Sequence, residues 1–223
     1  KEVLELIKRF NDDPSVHGIM VELPLPPHID RMRVLSAIDP LKDVDGLNPL
    51  NLGNICYRTS GLYSCTAKAI VKLLDYYEIP LEGQHAVIVN DSVLIGRPLA
   101  VLLLNRRATV TICHDKTKNI EDRTREADIL ITAVGKRDEF LVRKDMVKDG
   151  VVVVDAGITV VEKEYEIEGV PRRIKTYLGD VDFEKVKEKA RAITPVPGGV
   201  GPVTVACMLE NLLIAAKTNV SRA

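Results

Sequence analysis

Neither sign of charge is in excess: 31 Lys and Arg face 32 Asp and Glu, the formal net charge is -1 and the pI is near 6.5. The charges are interspersed, so the chain carries no electrostatic footprint for nucleic acid or an anionic membrane. Long apolar runs are also missing. The longest expected, Val151 to Val154 with its neighbours, is far too short to cross a bilayer, and no basic-then-apolar leader opens the chain. Cysteine pairs are absent: the four cysteines, at 56, 65, 113 and 207, show no C-x-x-C spacing. The four histidines, at 17, 28, 85 and 114, form no H-x-x-x-H pair, so no metal site is expected. Cys113 and His114 are adjacent at a strand end and should point to opposite faces, core cysteine and surface histidine. Free thiols fit a reducing compartment, and the expected location is cytoplasmic. An initiator Met is lacking as well. The chain opens at Lys1 inside an amphipathic helical pattern of Val3, Leu4, Leu6, Ile7 and Phe10, which leads us to expect that an N-terminal segment precedes it. These exclusions leave a small molecule as the expected partner.

At 46% hydrophobic and 28% charged, 223 residues suffice for a real core in one or two domains. The most informative stretch is Thr194-Pro-Val-Pro-Gly-Gly-Val-Gly-Pro202, followed by an expected apolar helix from Val203 to Lys217. Its prolines stiffen the approach, its glycines permit close contact with the backbone, and Pro202 suits a first helical turn. The amides of Gly199 to Gly201 would then face a ligand beside a helix N-terminus. Two readings fit this segment taken alone, a ligand loop and a tight strand-to-helix connection.

Val16 to Val21 reads as a short strand, LPLPPHID as a stiff extended loop, and Asp30 as the cap of a short helix through Ile38. Pro40 to Gly53 has the composition of a loop yet holds two carboxylates in D-x-D-G. Thr66 to Tyr77 is helical in period. Thereafter the β-branched runs His85–Val89, Thr109–Cys113, Ile129–Val134 and Val151–Asp155 alternate with helical stretches such as 97–107 and 143–147. That alternation predicts a parallel sheet covered on both faces. Between the first strand and first helix, the sequence Val87-Ile-Val-Asn-Asp-Ser-Val-Leu-Ile-Gly-Arg-Pro98 occupies the place where such a fold holds a pyrophosphate. It is not G-x-G-x-x-G: Asn90 and Ser92 stand where glycines are usual, although Gly96 still permits close approach. Asp115, just past the second strand, fits either an acceptor for the adenosine ribose or a cap or surface charge.

Taken in order, HGIMVELPLP (17–26), PLKDVDGLNPLNLG (40–53), SCTAKAIVKLL (64–74), VIVNDSVLIGRPLA (87–100), ATVTICHDKTKNI (108–120), ADILITAVGK (127–136), GVVVVDAGI (150–158), GDVDF (179–183) and ITPVPGGVGPVTVACMLEN (193–211) resemble the bifunctional methylenetetrahydrofolate dehydrogenase/cyclohydrolase family. The resemblance implies an α/β fold: a Rossmann-like doubly wound parallel sheet in 65–201, beside a smaller, truncated α/β catalytic domain in 1–64. The C-terminal helix, 202–223, would pack back on the smaller domain. It implies oxidation of 5,10-methylenetetrahydrofolate to the methenyl form with NAD(P), then hydrolysis to 10-formyltetrahydrofolate, in one-carbon metabolism that supplies purine biosynthesis. A homodimer is implied as well. Asp45 would anchor the pterin's amino-pyrimidine edge through paired, charge-assisted hydrogen bonds; the lesser reading is that Asp43 or Asp45 merely closes the loop. Val21, Glu22 and Leu23, and Pro197, Gly198, Gly199, Val200 and Gly201, correspond to further substrate segments. Asn90, Asp91, Ser92, Gly96 and Asp115, with Ala133, Val134, Gly135 and Ile158, would line the dinucleotide. For the apolar members of that set, plain sheet-edge core is the competing reading.

Three departures from the family pattern matter. The family's general base, a lysine in a Y-x-x-x-K helix near the N-terminus, lies outside these residues, and Lys42, Lys68 and Lys136 are poor substitutes; a catalytically incomplete folate- or dinucleotide-binding module is therefore the alternative. Glu22 stands in place of a glutamine; a carboxylate there raises the pKa of a neighbouring lysine and weakens it as a base, which points to a dehydrogenase with reduced cyclohydrolase activity. Asn90 and Asp91 replace a Gly-Arg pair, and Asp115 replaces a serine. Two acids then sit where the 2′-phosphate of NADP is held, so NAD is expected over NADP.

Overall fold

A computed structural model describes residues 1–167 and 170–220, with side chains outside 163 and 165–171. The first lobe carries α1 (Glu2–Asp12), α2 (Arg31–Ala37) and α3 (Pro49–Tyr57), and α4 (Cys65–Tyr76) leads into the second. There β1 (His85–Val89), α5 (Gly96–Asn105), β2 (Thr109–Cys113), α6 (Ile120–Glu126), β3 (Ile129–Thr132), a 3-10 turn at Lys144–Met146 and β4 (Val152–Asp155) follow one another. A hairpin of β5 (Thr159–Ile167) and β6 (Val170–Leu178), the short α7 (Phe183–Val186), β7 (Ala192–Ile193) and α8 (Val200–Val220) complete the order.

The five strands of the main sheet run β2-β1-β3-β4-β7, every neighbouring pair parallel. Side chains alternate across a strand, and the core divides accordingly. Ala86, Ile88, Ile129, Ile131, Val152 and Val154 pack under α4, α5 and α8, whereas Val87, Val89, Leu130 and Val153 pack under Ala127, Met146 and Val186. Both faces of β1, β3 and β4 are covered, so these strands read as near-continuous apolar runs, whereas β2, at the edge, stays partly exposed. Consecutive strands β1 and β2 lie on one side and β3 on the other, which puts the topological switch, and the crevice it opens, between β1 and β3. The smaller lobe has its own core of Ile7, Ile19, Val34, Leu35 and Ile38. Cys113 is buried and His114 exposed, as the strand geometry requires.

Several sequence expectations need correction. Val16 to Val21 is not a strand; only a single parallel bridge, Ile19 with Asp43, forms there. The Pro40–Gly53 stretch is a loop only as far as Asn48, whose side chain accepts from Leu50 N at 2.8 Å and starts α3 with Pro49 at its first turn. The expected helix at 143–147 is one 3-10 turn, and the long hairpin was not anticipated. α8 begins at Val200, before Pro202, and at 21 residues is long and apolar enough by length and composition to span a bilayer, which the search for apolar runs did not anticipate. In this fold it is a packing helix. Asn211 is fully buried and donates to the carbonyls of Val44 and Tyr63, both at 2.9 Å, while accepting from Lys68 Nζ at 2.8 Å. Glu210 pairs with Lys68 and Lys72 of α4, and Val205, Leu209 and Leu213 on other faces of the helix are exposed.

Candidate active site

The site assembles around the N-terminus of α4, where three consecutive residues touch three different segments. Ser64 donates to the carbonyl of Leu94 in the β1–α5 loop at 2.6 Å. The Cys65 amide donates to Asp45 O at 3.3 Å, and its thiol lies against the Val44 carbonyl, 3.2 Å away, and the Asp45 carboxylate. Thr66 lines a cavity of about 490 Å³ together with Ile158 and the bend from Pro195 to Pro202.

The two carboxylates of the D-x-D-G motif separate cleanly. Asp43 is the loop closer: its Oδ2 accepts from Asn48 N at 2.7 Å and Asn51 Nδ2 at 2.9 Å. Asp45 has no such backbone cage. Burial raises its pKa, the Asp43 charge raises it further, and the Cys65 thiol pulls it back. Asp43 is likewise raised by burial, against four hydrogen bonds that lower it. The Cys65 thiol is pushed up to about 12, by burial first and by Asp45 next, so it remains a protonated donor rather than a nucleophile.

Val21, two residues beyond the parallel Ile19–Asp43 bridge, packs against the core of the first lobe. Glu22 is exposed. Leu23 and the prolines after it face Leu94 across a second cavity of about 560 Å³. The peptides Leu23–Pro24 and Val196–Pro197 are both cis. Pro197 to Gly201 all line the first cavity. Within the bend, Gly198 has φ +102°, accessible only to glycine, and a Cβ on Gly199 would come within 2.5 Å of Pro195 O.

At the sheet's C-terminal edge, Asn90 faces inward. Its Oδ1 accepts from Ser92 N at 2.9 Å, Ser92 Oγ at 2.7 Å and Gly96 N at 2.9 Å, while its Nδ2 donates to Ala133 O at 2.7 Å across the switch point. Its side chain shapes the loop and replaces by an Asx-type turn what glycines do elsewhere. Gly96 is the close approach in this turn, since a Cβ would sit 1.9 Å from Asn90 O. Gly135, at φ +67°, would bring a Cβ 3.2 Å from Ile158 O, which joins the Ala133–Gly135 segment to the first cavity. Strands β1 and β2 align Val89 with Cys113, so Asp91 and Asp115, each two residues further on, emerge on neighbouring loops. Both are exposed, with side chains 54% and 76% accessible. Asp115 neither caps a helix nor is free: Lys116 Nζ is 2.8 Å away and holds its carboxyl below the usual range. Arg97 donates through Nε to Asp91 O at 2.8 Å.

Sequence reasoning did not single out Ser64, Cys65, Thr66, Asn211, Asp155 or Asp180 as parts of this assembly. Asp155 had a signal, being the acid that ends an otherwise apolar strand. The fit to a dinucleotide rests on the inward Asn90 turn, the positive-φ Gly135 and the open cavity beyond them, all at the C-terminal ends of parallel strands.

Comparison with known proteins agrees. The profile of the tetrahydrofolate dehydrogenase/cyclohydrolase NAD(P)-binding domain matches residues 64–220, and that of the catalytic domain matches 1–45. The bifunctional protein FolD of Cenarchaeum symbiosum is 50% identical over 215 residues, 96% of this chain and 72% of that one. Among solved structures, the bifunctional FolD enzyme of Campylobacter jejuni superposes with a TM-score of 0.86 at 48% identity, over 97% of this chain and 73% of its own. The Trypanosoma brucei methylenetetrahydrofolate dehydrogenase-cyclohydrolase, solved with NADP and an inhibitor, gives 0.87 at 38% identity over 98% and 73%. With such likeness running through both lobes and the crevice between them, the chain belongs to the tetrahydrofolate dehydrogenase/cyclohydrolase family.

Proposed function

We propose that this protein oxidises 5,10-methylenetetrahydrofolate to 5,10-methenyltetrahydrofolate with a nicotinamide dinucleotide and hydrolyses the product to 10-formyltetrahydrofolate. The observation that carries the reading is the cavity in which Ile158, at the end of the dinucleotide crevice, faces the Pro197–Gly201 bend, one residue along α4 from the contact that holds Asp45. A nicotinamide bound there would supply the hydride acceptor for the folate methylene carbon. The chain's own residues hold the reactants. Asp45 accepts two N–H bonds from the amino-pyrimidine edge, with Cys65 and the Asn211-anchored Val44 carbonyl fixing its backbone. Ile95, Ile158 and Pro197 give the hydride path an apolar lining. Ser92, Gly96 and the Ala133–Gly135 segment line the dinucleotide, while Asn90 shapes their loop. Residues 1–64 with 202–220 form the folate lobe and 65–201 the dinucleotide lobe, while 221–223 of the expected C-terminal helix lie outside the described residues.

We further propose that NAD is preferred over NADP, on the strength of Asp91 and Asp115. Glu22, exposed beside the substrate segment, favours a lowered ratio of cyclohydrolase to dehydrogenase activity. The same reading carries a homodimer in the cytoplasm, checked by sedimentation and by fractionation of cells. The direct test mixes the full-length protein with methylenetetrahydrofolate and NAD or NADP and follows methenyl absorbance and its decay. No methenyl product with either cofactor would refute the proposal.

A further inference from the structure

The segment Gly179-Asp-Val-Asp-Phe183 has no part in the chemistry above, yet it is hydrogen-bonded to the edge of the cofactor crevice at both Val134–Gly135 and Arg137. Asp180 is fully buried, and its Oδ2 accepts from Val134 N at 2.6 Å and its Oδ1 from Gly135 N at 3.0 Å. Arg137, in the same loop as those amides, donates back to the carbonyls of Gly179 and Val181, the latter at 3.0 Å. Behind Asp180 stands Asp155, the last residue of β4. Asp155 Oδ1 accepts from Asp180 N at 3.1 Å and Gly157 N at 3.0 Å, and its Oδ2 accepts from Val181 N at 3.0 Å. No room is left for slack. A Cβ on Gly157 would fall 2.1 Å from the Asp180 carboxyl carbon, and one on Gly179 would fall 2.0 Å from Asp155 Oδ2.

We infer that Asp180 is a positioning residue for the dinucleotide: by holding the amides of Val134 and Gly135, it fixes the cofactor-facing end of β3 against the Gly157–Ile158 turn. The inference rests on the dinucleotide-binding reading given above. Two buried carboxylates side by side are a poor choice for stability alone. Burial and the Asp155 charge push Asp180 up to about 6, against the Val134 and Gly135 amides and Arg137, which pull it down. Because the folded-state pKa lies above the unfolded one, the folded chain binds this proton more tightly, and ionised Asp180 subtracts stability above about pH 6. What the ionised form supplies is two acceptors for two N–H groups. Protonation turns one of those acceptors into a donor facing an amide, so the grip on the loop is lost as pH falls through that value. The charged groups facing Asp180 are Asp155 and Arg137, and neither offers an alternative acceptor to those amides.

The test measures NAD dissociation constants between about pH 5 and 8 for the wild-type full-length protein and for Asp180→Asn, with tetrahydrofolate affinity measured alongside. Wild-type NAD affinity should fall severalfold below about pH 6. Asp180→Asn should bind NAD about tenfold more weakly at neutral pH with a flat profile, and tetrahydrofolate affinity should not move. Gly157→Ala, which drives a methyl into the Asp180 carboxylate, should reproduce the NAD defect. A flat wild-type profile overturns the inference without any variant, as does an Asp180→Asn protein that binds NAD like wild type. Wild-type protein that binds no dinucleotide at any pH would instead refute the underlying reading.

Discussion

The proposed preference for NAD rests on two carboxylates whose environment allows the effect to be sized. Asp91 and Asp115 are more than half exposed, so the dielectric between them and a 2′-phosphate is close to that of water. A carboxylate about 6 Å from a dianionic phosphate is repelled by about 1.4 kcal/mol at that dielectric, and a Debye length of about 8 Å cuts this to roughly 0.7. Asp91 adds a repulsion of this order, trimmed by Arg97 4.0 Å away, and Asp115, paired with Lys116 at 2.8 Å, acts in the same direction. A ribose hydroxyl donating to Asp115 favours NAD alone. Acting together, these effects predict kcat/KM at least severalfold higher with NAD than with NADP. The double variant Asp91→Ser, Asp115→Ser should bring the two cofactors near parity, chiefly through KM, because neither side chain lies near the transferred hydride. Raising the salt to about 1 M should compress the wild-type ratio, since the Debye length then falls to about 3 Å and only the hydrogen bond survives. A wild-type preference for NADP, or a double variant whose ratio equals that of wild type, would refute the reasoning.

Asp45→Asn should lower kcat/KM for methylenetetrahydrofolate about 100-fold, the loss of a charge-assisted pair, while the NAD dissociation constant stays fixed. Because burial and Asp43 raise the Asp45 pKa, folate binding by the ionised form should be lost on acidification at a higher pH than for an ordinary carboxylate; a folate KM that stays flat down to the usual range would contradict this. Asn211→Leu leaves the Val44 and Tyr63 carbonyls and the Lys68 ammonium without their buried partner, and should cost about 3 kcal/mol, read as a melting temperature lowered by about 10 °C. Glu22→Gln should raise the ratio of methenyl-folate hydrolysis to dehydrogenation, measured on one preparation; an unchanged ratio would remove Glu22 from the account of the hydrolase.

The parallel sheet was legible because its information is local: apolar runs of β-branched residues, separated by helical periods, admit few other arrangements. Where composition and geometry parted, a single residue usually decided. Pro40 to Gly53 has the make-up of a loop throughout, but Asn48 followed by Pro49 is also a helix start, and the capping bond to Leu50 won. Val16 to Val21 has strand composition but only the one pairing residue at Asp43, so it stops at a bridge. The site was half legible for a related reason. A motif names the residue types, whereas the role of each depends on contacts made from far along the chain. Within Asp-Val-Asp-Gly nothing distinguishes Asp43 from Asp45 until Asn48 and Asn51 claim the first, leaving the second beside a thiol that stays protonated. Likewise Asp155 and Asp180 are 25 residues apart and meet only because β4 and the segment after β6 end at the same edge of the sheet. Since Ser64, Cys65 and Thr66 reach the Leu94 loop, Asp45 and the Pro197 cavity in turn, one helix terminus sets the separation between the folate and dinucleotide sides. A substitution that shifts this terminus should therefore disturb both ligands together, whereas changes at Asp45 or at Asp91 and Asp115 disturb one at a time.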